Sequence, residues 1–307
     1  MGALGQHDSL RMLEAAFDAG IRHFDVAPMY GYGEAEVCLG EFLRRHPGQC
    51  TVTTKFGILP KAQGALASIA RSTLRPILSR FPGLKQAVAA RRGVLAPKSL
   101  GVLPQPAKVP NPIFNAVQAK FSLHHSLAVM KVERIDVLLL HDVAPADLAN
   151  DDLLHFLQQS VESGLVGTFG VGTDRSEIEP LLSKHPAYCP VTQYEWSVFN
   201  PVPPASDAFR IHHRSLTNNF RALHADLAAD RDRCQRWSQS TGADLADPAV
   251  LARLMLKAAL LLNPESIILF SSKSPKHIHA NVADATETSL AAPALELYRA
   301  IHAEPIS

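Results

Sequence analysis

Short apolar runs of strand length alternate with helix-length stretches along most of this chain, and that alternation leaves few architectures open. The runs are Ile21 to Val26, Cys50 to Thr54, Ile135 to Leu140, Val166 to Val171, Val191 to Trp196, Phe209 to His213 and Ser266 to Phe270. Between consecutive runs lies enough chain for the crossover that parallel strands require. The run from Ile135 to Leu140 is apolar almost without a break, as suits burial on both faces. In such sheets the loops after the strands form the working face, so polar residues closing a strand are the candidates for chemistry. Asp25, Lys55 and His141 sit at three such ends, and Tyr30 follows Asp25 by five positions in Phe24-Asp25-Val26-Ala27-Pro28-Met29-Tyr30-Gly31-Tyr32-Gly33-Glu34.

Helix signals fill the intervals. Asp8 or Ser9 is placed to cap a helix from Leu10 to Ala19, with Gly20 as its terminator. Further helices are expected from about Glu34 to Arg45, Ala116 to Met130 and Asp151 to Ser163. Ser176 and Glu179 have capping-box spacing for a short helix through Lys184, with Pro180 in its first turn. Beyond Asn200 the pattern fades: Phe209 to His213 is a poor strand, and helical stretches follow to Leu262. The expected class is α/β, a TIM (β/α)8 barrel with seven of its eight strands in evidence. The chain's 307 residues exceed the ~250 typical of that fold, which fits one domain over 1–307 with an insertion after the strand ending at Lys55. Residues 58–115 read as that insertion, a basic, Pro-rich lid or loop. Leu66, Ile69, Leu74, Ile77 and Leu78 alternate there with Arg71, Arg75 and Arg80, a pattern better suited to covering its own domain than to lying on a membrane.

Composition removes several classes. No run of ~18 uncharged apolar residues and no signal-peptide pattern is present, so the expectation is a soluble, cytoplasmic protein with no membrane partner. Cys38, Cys50, Cys189 and Cys234 show no CxxC spacing, which argues for structural thiols over a zinc site or disulfides. The pairs His124-His125, His212-His213 and His277/His279 lack the HExxH spacing, and no metal is expected. The net charge of +1 hides an asymmetry: Phe42 through Val132 holds fourteen Lys and Arg and no Asp or Glu, leaving 16 basic against 29 acidic residues elsewhere. Such a segment attracts a cofactor phosphate, an anionic substrate, an acidic lipid surface or the acidic remainder of the same molecule. Without aromatic interleaving or a recognised motif, nucleic acid is not expected.

Larger words surround the strand-end residues. Gly20-Ile21-Arg22-His23-Phe24-Asp25 leads to Ala27-Pro28 and Tyr30-Gly31, then come Thr54-Lys55-Phe56-Gly57 and Ile135-Asp136-Val137-Leu138-Leu139-Leu140-His141. Together these resemble the sequence blocks of the aldo-keto reductases. The resemblance implies a catalytic tetrad: Tyr30 as proton donor, Lys55 as the cation that lowers the phenol pKa, Asp25 as the lysine's partner, and His141 as the group that orients the carbonyl. It also implies a nicotinamide cofactor. Gly170-Val171-Gly172-Thr173 stands where the family has a Gly-Val-Ser-Asn type word, so Thr173 is left with part of the carboxamide contact, and Gln193 matches a glutamine that shares it. The aromatic residue stacking on the nicotinamide has no clear match, and His212 or His213 reads as a solvated histidine. Ser271, Ser272, Lys273, His277 and Asn281 resemble the adenosine-phosphate pocket, with His277 in place of an arginine. Cations at a helix start favour NADP(H) over NAD(H).

The family begins with a strand ahead of its first helix, whereas only Met1 to His7 precede that helix here. The expectation is a sequence truncated before its first strand, begun at an internal methionine, with unpaired sheet edges and reduced stability or activity. The expected function is oxidoreduction of a small carbonyl compound: an aldehyde or ketone reduced, or a sugar or alcohol oxidised, by hydride transfer with NAD(P)(H). The alternative is a catalytically impaired nicotinamide-binding regulatory subunit of the same fold. Neither the physiological substrate nor the oligomeric state follows from the sequence.

Overall fold

The computed structural model describes residues 5–58, 113–149 and 151–305. These belong to one compact unit formed by 1–59 and 110–307. The lid expected over 58–115 lies, apart from its ends, outside the described residues, as do residues 1–4.

All seven expected strands form. They are β1 (His23–Asp25), β2 (Thr51–Phe56), β3 (Ile135–His141), β4 (Val166–Gly172), β5 (Val191–Glu195), β6 (Phe209–His213) and β7 (Ser266–Ile268). They make one parallel sheet in sequence order, each strand hydrogen-bonded to the next, in an α/β fold of TIM-barrel type. The eighth strand is not among the described residues, where β1 and β7 each pair on one side only. The doubtful segment Phe209–His213 is a strand because β5 gives it a complete partner, from Val191↔Phe209 to Glu195↔His213.

Period-2 alternation sorts the side chains onto two faces. Leu139, Val191 and Ile211 are buried together on the inner face, with Val137, Ile267 and Leu269 around them. Leu138, Leu140, Phe169, Val171 and Tyr194 point the other way, into a larger core with Leu39 and Phe42 of α2 (Glu34–Arg45) and Leu123 of α3 (Ala116–Met130). Leu157 of α4 (Asp151–Glu162) and Leu181 of α5 (Arg175–Lys184) complete that layer. Fully burying each such side chain contributes about 1.5–3 kcal/mol.

Two glycines are there for lack of room. A Cβ at Gly40 would lie 2.3 Å from the Met130 carbonyl oxygen, so α2 and α3 touch backbone to side. At Gly170 it would lie 1.9 Å from the Val191 oxygen. Glu36, buried in α2, accepts from Thr54 Oγ1 and Ser126 Oγ at 2.7 Å each, tying α2, β2 and α3 together.

Two helix starts differ from expectation. The first helix, α1 (Gln6–Asp18), begins after Gly5, and neither Asp8 nor Ser9 caps it; Ser9 is buried inside the helix instead. The α5 helix starts at Arg175, so Ser176 falls in its first turn, no capping box forms, and Pro180 is interior. Asp174 occupies the cap position without a side-chain hydrogen bond. Five more helices follow β6 and β7: α6 (Thr217–Ala229), α7 (Arg231–Thr241), α8 (Pro248–Leu262), α9 (Pro275–Thr286) and α10 (Ala291–Ala303). Leu223, Trp237, Leu251, Met255 and Leu297 give the C-terminal helices a core of their own.

Candidate active site

Parallel strands end on one side of their sheet, and here those ends bring Asp25, Tyr30, Lys55 and His141 together. On β2 the Thr54 hydroxyl is held outward by Glu36, which turns the next side chain, Lys55, inward. Lys55 is 2% exposed, and its Nζ donates to Asp25 Oδ1 at 2.5 Å and to the Val26 carbonyl at 3.4 Å. The second Asp25 oxygen accepts from Gln193 Nε2 at 2.7 Å. Burial disfavours the ammonium and lowers the Lys55 pKa, while the charge and hydrogen bond of Asp25 oppose that.

Tyr30 opens a tight turn, Tyr30–Gly33, in which Gly31 and Gly33 adopt left-handed φ of 62° and 93°. Residues with a Cβ resist that conformation, so the two glycines allow the chain to double back beside the lysine. The Tyr30 ring lies 5.4 Å from Lys55 Nζ and 6.1 Å from the His141 ring, edge to face at 89°. With 36% of the residue exposed, the phenol is open to an incoming molecule. Its pKa is pushed up to about 12, first by burial and then by the Asp25 carboxylate, with Arg214 opposing. The expected lowering by Lys55 is therefore not present. The lysine's charge is engaged by Asp25 at 2.5 Å, while its Nζ lies 5.4 Å from the centre of the Tyr30 ring.

His141 closes β3, and its pKa is shifted the other way, down to about 4, by burial and then by the Lys55 charge. A neutral imidazole at physiological pH offers one N–H for donation.

The inferred cofactor residues fall into two groups. Register places His141, Gly172 and Gln193 in one row across β3, β4 and β5. Thr173 follows, its N–H donating to the Gln193 carbonyl at 3.0 Å while its Oγ1 is buried without a partner. That orphaned hydroxyl, beside an amide whose NH2 is taken by Asp25, suits a carboxamide that both donates and accepts. A Cβ at Gly172 would stand 3.5 Å from Gln193 Oε1, an ordinary contact. The second group follows β7. Ser272 folds onto Ser274, accepting from its N–H at 3.1 Å, and Lys273 and His277 are exposed around the start of α9, with Asn281 one turn on from His277. Unpaired N–H groups at a helix start and adjacent cations suit a phosphate.

Two histidines near this end were left without a role when read from the sequence. His213 is lowered by burial, and its charge balance includes Lys55 and Asp25 as well as Arg214 and Glu195. His212 is fully buried against the Tyr194 ring at 4.7 Å, which corrects its reading as solvated. The alternation Ile211-His212-His213 was the available signal, since an inward Ile211 implies an inward His213. Among the described residues no group of three His, Cys, Asp or Glu is placed to hold a metal ion, and no helix is long and apolar enough to cross a membrane.

Residues 2–86 match the Aldo/keto reductase family. The chain is 52% identical over 52 residues to a pyridoxal 4-dehydrogenase of Microbacterium luteolum, covering 17% of this chain and 15% of that one. It is 30% identical over 179 residues to a D-threo-aldose 1-dehydrogenase of a Pseudomonas species, covering 56% and 45%. The chain thus spans less than half the length of these two relatives. Among solved structures it is similar to an aldo-keto reductase from Klebsiella pneumoniae in complex with NADPH, at a TM-score of 0.62 and 15% identity, covering 100% of this chain and 89% of that one. A glycerol dehydrogenase from Gluconobacter oxydans is similar at a TM-score of 0.61 and 18% identity, covering 99% and 90%.

Proposed function

The chain is related to the aldo-keto reductases and has their fold, and from that premise we propose that it is a cytoplasmic NAD(P)H-dependent oxidoreductase acting on a small aldehyde or ketone. The observation that carries the reading is the convergence of Lys55 and His141 on the Tyr30 ring, with Asp25 holding the lysine at 2.5 Å. When bound, the dihydronicotinamide supplies the hydride. Thr173 and Gln193 would hold its carboxamide, and Ser271, Ser272, Lys273, His277 and Asn281 its adenosine phosphate. Lys273 and Lys276 at the start of α9 favour NADP(H) over NAD(H). Four free cysteines accord with a reducing compartment.

Neutral His141 donates an N–H to the carbonyl oxygen and orients it. Tyr30 then delivers its proton as negative charge develops on that oxygen. A phenol at about 12 is fully protonated near neutrality, the form that reduction needs. The alcohol-oxidising direction needs the phenolate, which is scarce, so Lys55 has to favour it when the site fills and water leaves.

A second reading, a nicotinamide-binding regulator without turnover, is favoured by Gly172-Thr173 standing where the family has a Ser-Asn type word. Fluorescence titration with NADPH, beside a turnover assay over a panel of aldehydes, separates the two. Oxidation of NADPH in proportion to aldehyde consumed is expected. Tight NADPH binding with no turnover over the whole panel would support the regulator instead.

A further inference from the structure

Arg214 directly follows β6 and holds a backbone conformation that side chains rarely adopt, with φ of 57°. Thr217, three residues on, is left-handed as well, at φ 35°. Two such non-glycine residues between the end of β6 and the first residue of α6 are stored strain, which persists only where the surroundings over-determine it and which gathers at ligand clamps and active sites.

Those surroundings are visible. Asn219 Nδ2 donates to Glu195 Oε1 at 3.1 Å and reaches the Arg214 carbonyl at 3.5 Å, while Glu195 Oε2 stands 3.5 Å from Arg214 Nη1. The last contact is long, and the Arg214 side chain remains 64% exposed. Glu195 therefore steers the guanidinium without consuming its donors. The residue before it, His213, shares the inner face of β6 with Ile211 and feels the charges of Lys55 and Asp25. The Arg214 charge also acts on the Tyr30 hydroxyl, opposing the rise in its pKa. Arg214 is thus a largely unsatisfied fork of N–H donors just past the end of β6, beside Glu195, which lies two residues along β5 from the Gln193 that donates to Asp25; such a fork recognises a carboxylate or phosphate in two-point fashion.

We propose that Arg214 binds a carboxylate carried by the carbonyl substrate, so that the molecules taken by this site are aldehyde or ketone acids anchored at one end by Arg214 and presented at the other to Tyr30 and His141. The proposal rests on the reading of the site as a carbonyl reductase. An incoming carboxylate takes the N–H donors that Glu195 leaves open.

The test compares 4-carboxybenzaldehyde with 4-methylbenzaldehyde in the wild-type chain, Arg214→Gly and Arg214→Lys. Glycine adopts the left-handed backbone without strain, so the first variant folds. In Arg214→Gly the ratio of kcat/KM for the acid over the neutral aldehyde is expected to fall about tenfold or more, as loss of a charge-assisted bidentate contact implies, with the change carried by KM. Arg214→Lys restores part of it. Fluorescence titration gives the NADPH Kd of each variant, and calorimetry gives the binding of 4-methylbenzoate, which cannot react. Equal losses for both aldehydes, or a weakened NADPH Kd with the substrate ratio preserved, overturn the proposal, the latter by assigning Arg214 to a cofactor phosphate. If the wild-type chain binds 4-methylbenzoate through Arg214 but reduces no aldehyde, the reductase reading fails and the anion site stands. If it reduces aldehydes with no preference for the acid and binds no benzoate, the reverse holds.

Discussion

Asp25 uses both carboxylate oxygens, one on Lys55 and one on Gln193, so it couples the lysine proposed to tune Tyr30 to the amide proposed for the cofactor. Removing its charge leaves a 2%-exposed ammonium without a counterion. Asp25→Asn is accordingly expected to lower stability by about 3–5 kcal/mol in urea unfolding, with Asp25→Asn/Lys55→Met recovering most of the loss. A double variant as unstable as the single one would mean that the pair is not the cause. At Tyr30 the raised pKa predicts a direction for catalysis. Alcohol oxidation, which needs the phenolate, should rise with pH across the neutral and alkaline range, while reduction stays flat there; parallel profiles would disagree. That Asp25, Tyr30, Lys55 and His141 meet was legible in the sequence because each sits at or just past a strand end. Arg214 was not, because what distinguishes it is a backbone angle and a neighbour, Glu195, nineteen residues away. The raised phenol pKa was missed because its largest cause is the burial of Tyr30, which the sequence does not show.

At the scale of strands and helices, β4 and β5 approach so closely that Gly170 has no room for a methyl group, yet two residues on Gly172 does. Gly170→Ala should therefore cost about 1–3 kcal/mol or more through forced backbone shifts, and Gly40→Ala, against the Met130 carbonyl, about as much by the same argument. Gly172→Ser should leave the melting temperature nearly unchanged. It should tighten NADPH binding several-fold, since one added hydrogen bond contributes about 0.5–1.5 kcal/mol. A lower melting temperature for Gly172→Ser, or none for Gly170→Ala, would contradict this reading of the strand spacing. All seven strands were legible, being apolar runs at crossover spacing. Helix starts were less so: the N-terminal helix begins earlier than its Asp8 and Ser9 signals because burial of Ser9, Met12 and Leu13 sets its face, and local capping residues lose to that packing.

For the whole molecule, four histidines, His23, His141, His212 and His213, are all shifted down by burial, His141 and His212 to about 4. Below about pH 6.5 the unfolded chain takes up these protons while the folded one does not. Because the unfolded state then binds more protons, stability rises with pH through this window and falls as pH drops from about 6.5 towards 4. A melting temperature that declines through that range is expected, and one that stays level would show that the histidines are not held neutral. The fold type was legible in the strand rhythm, whereas the part played by the acid-free segment from Phe42 to Val132 was not, since charge sign alone does not name a partner. The central claim is that Tyr30 hands its proton to a carbonyl oxygen as hydride arrives, and it is tested most directly by measuring aldehyde turnover and NADPH Kd together for Tyr30→Phe. The account predicts that kcat falls about a hundredfold to ten-thousandfold with Kd unchanged; a variant that keeps most of its turnover would contradict it.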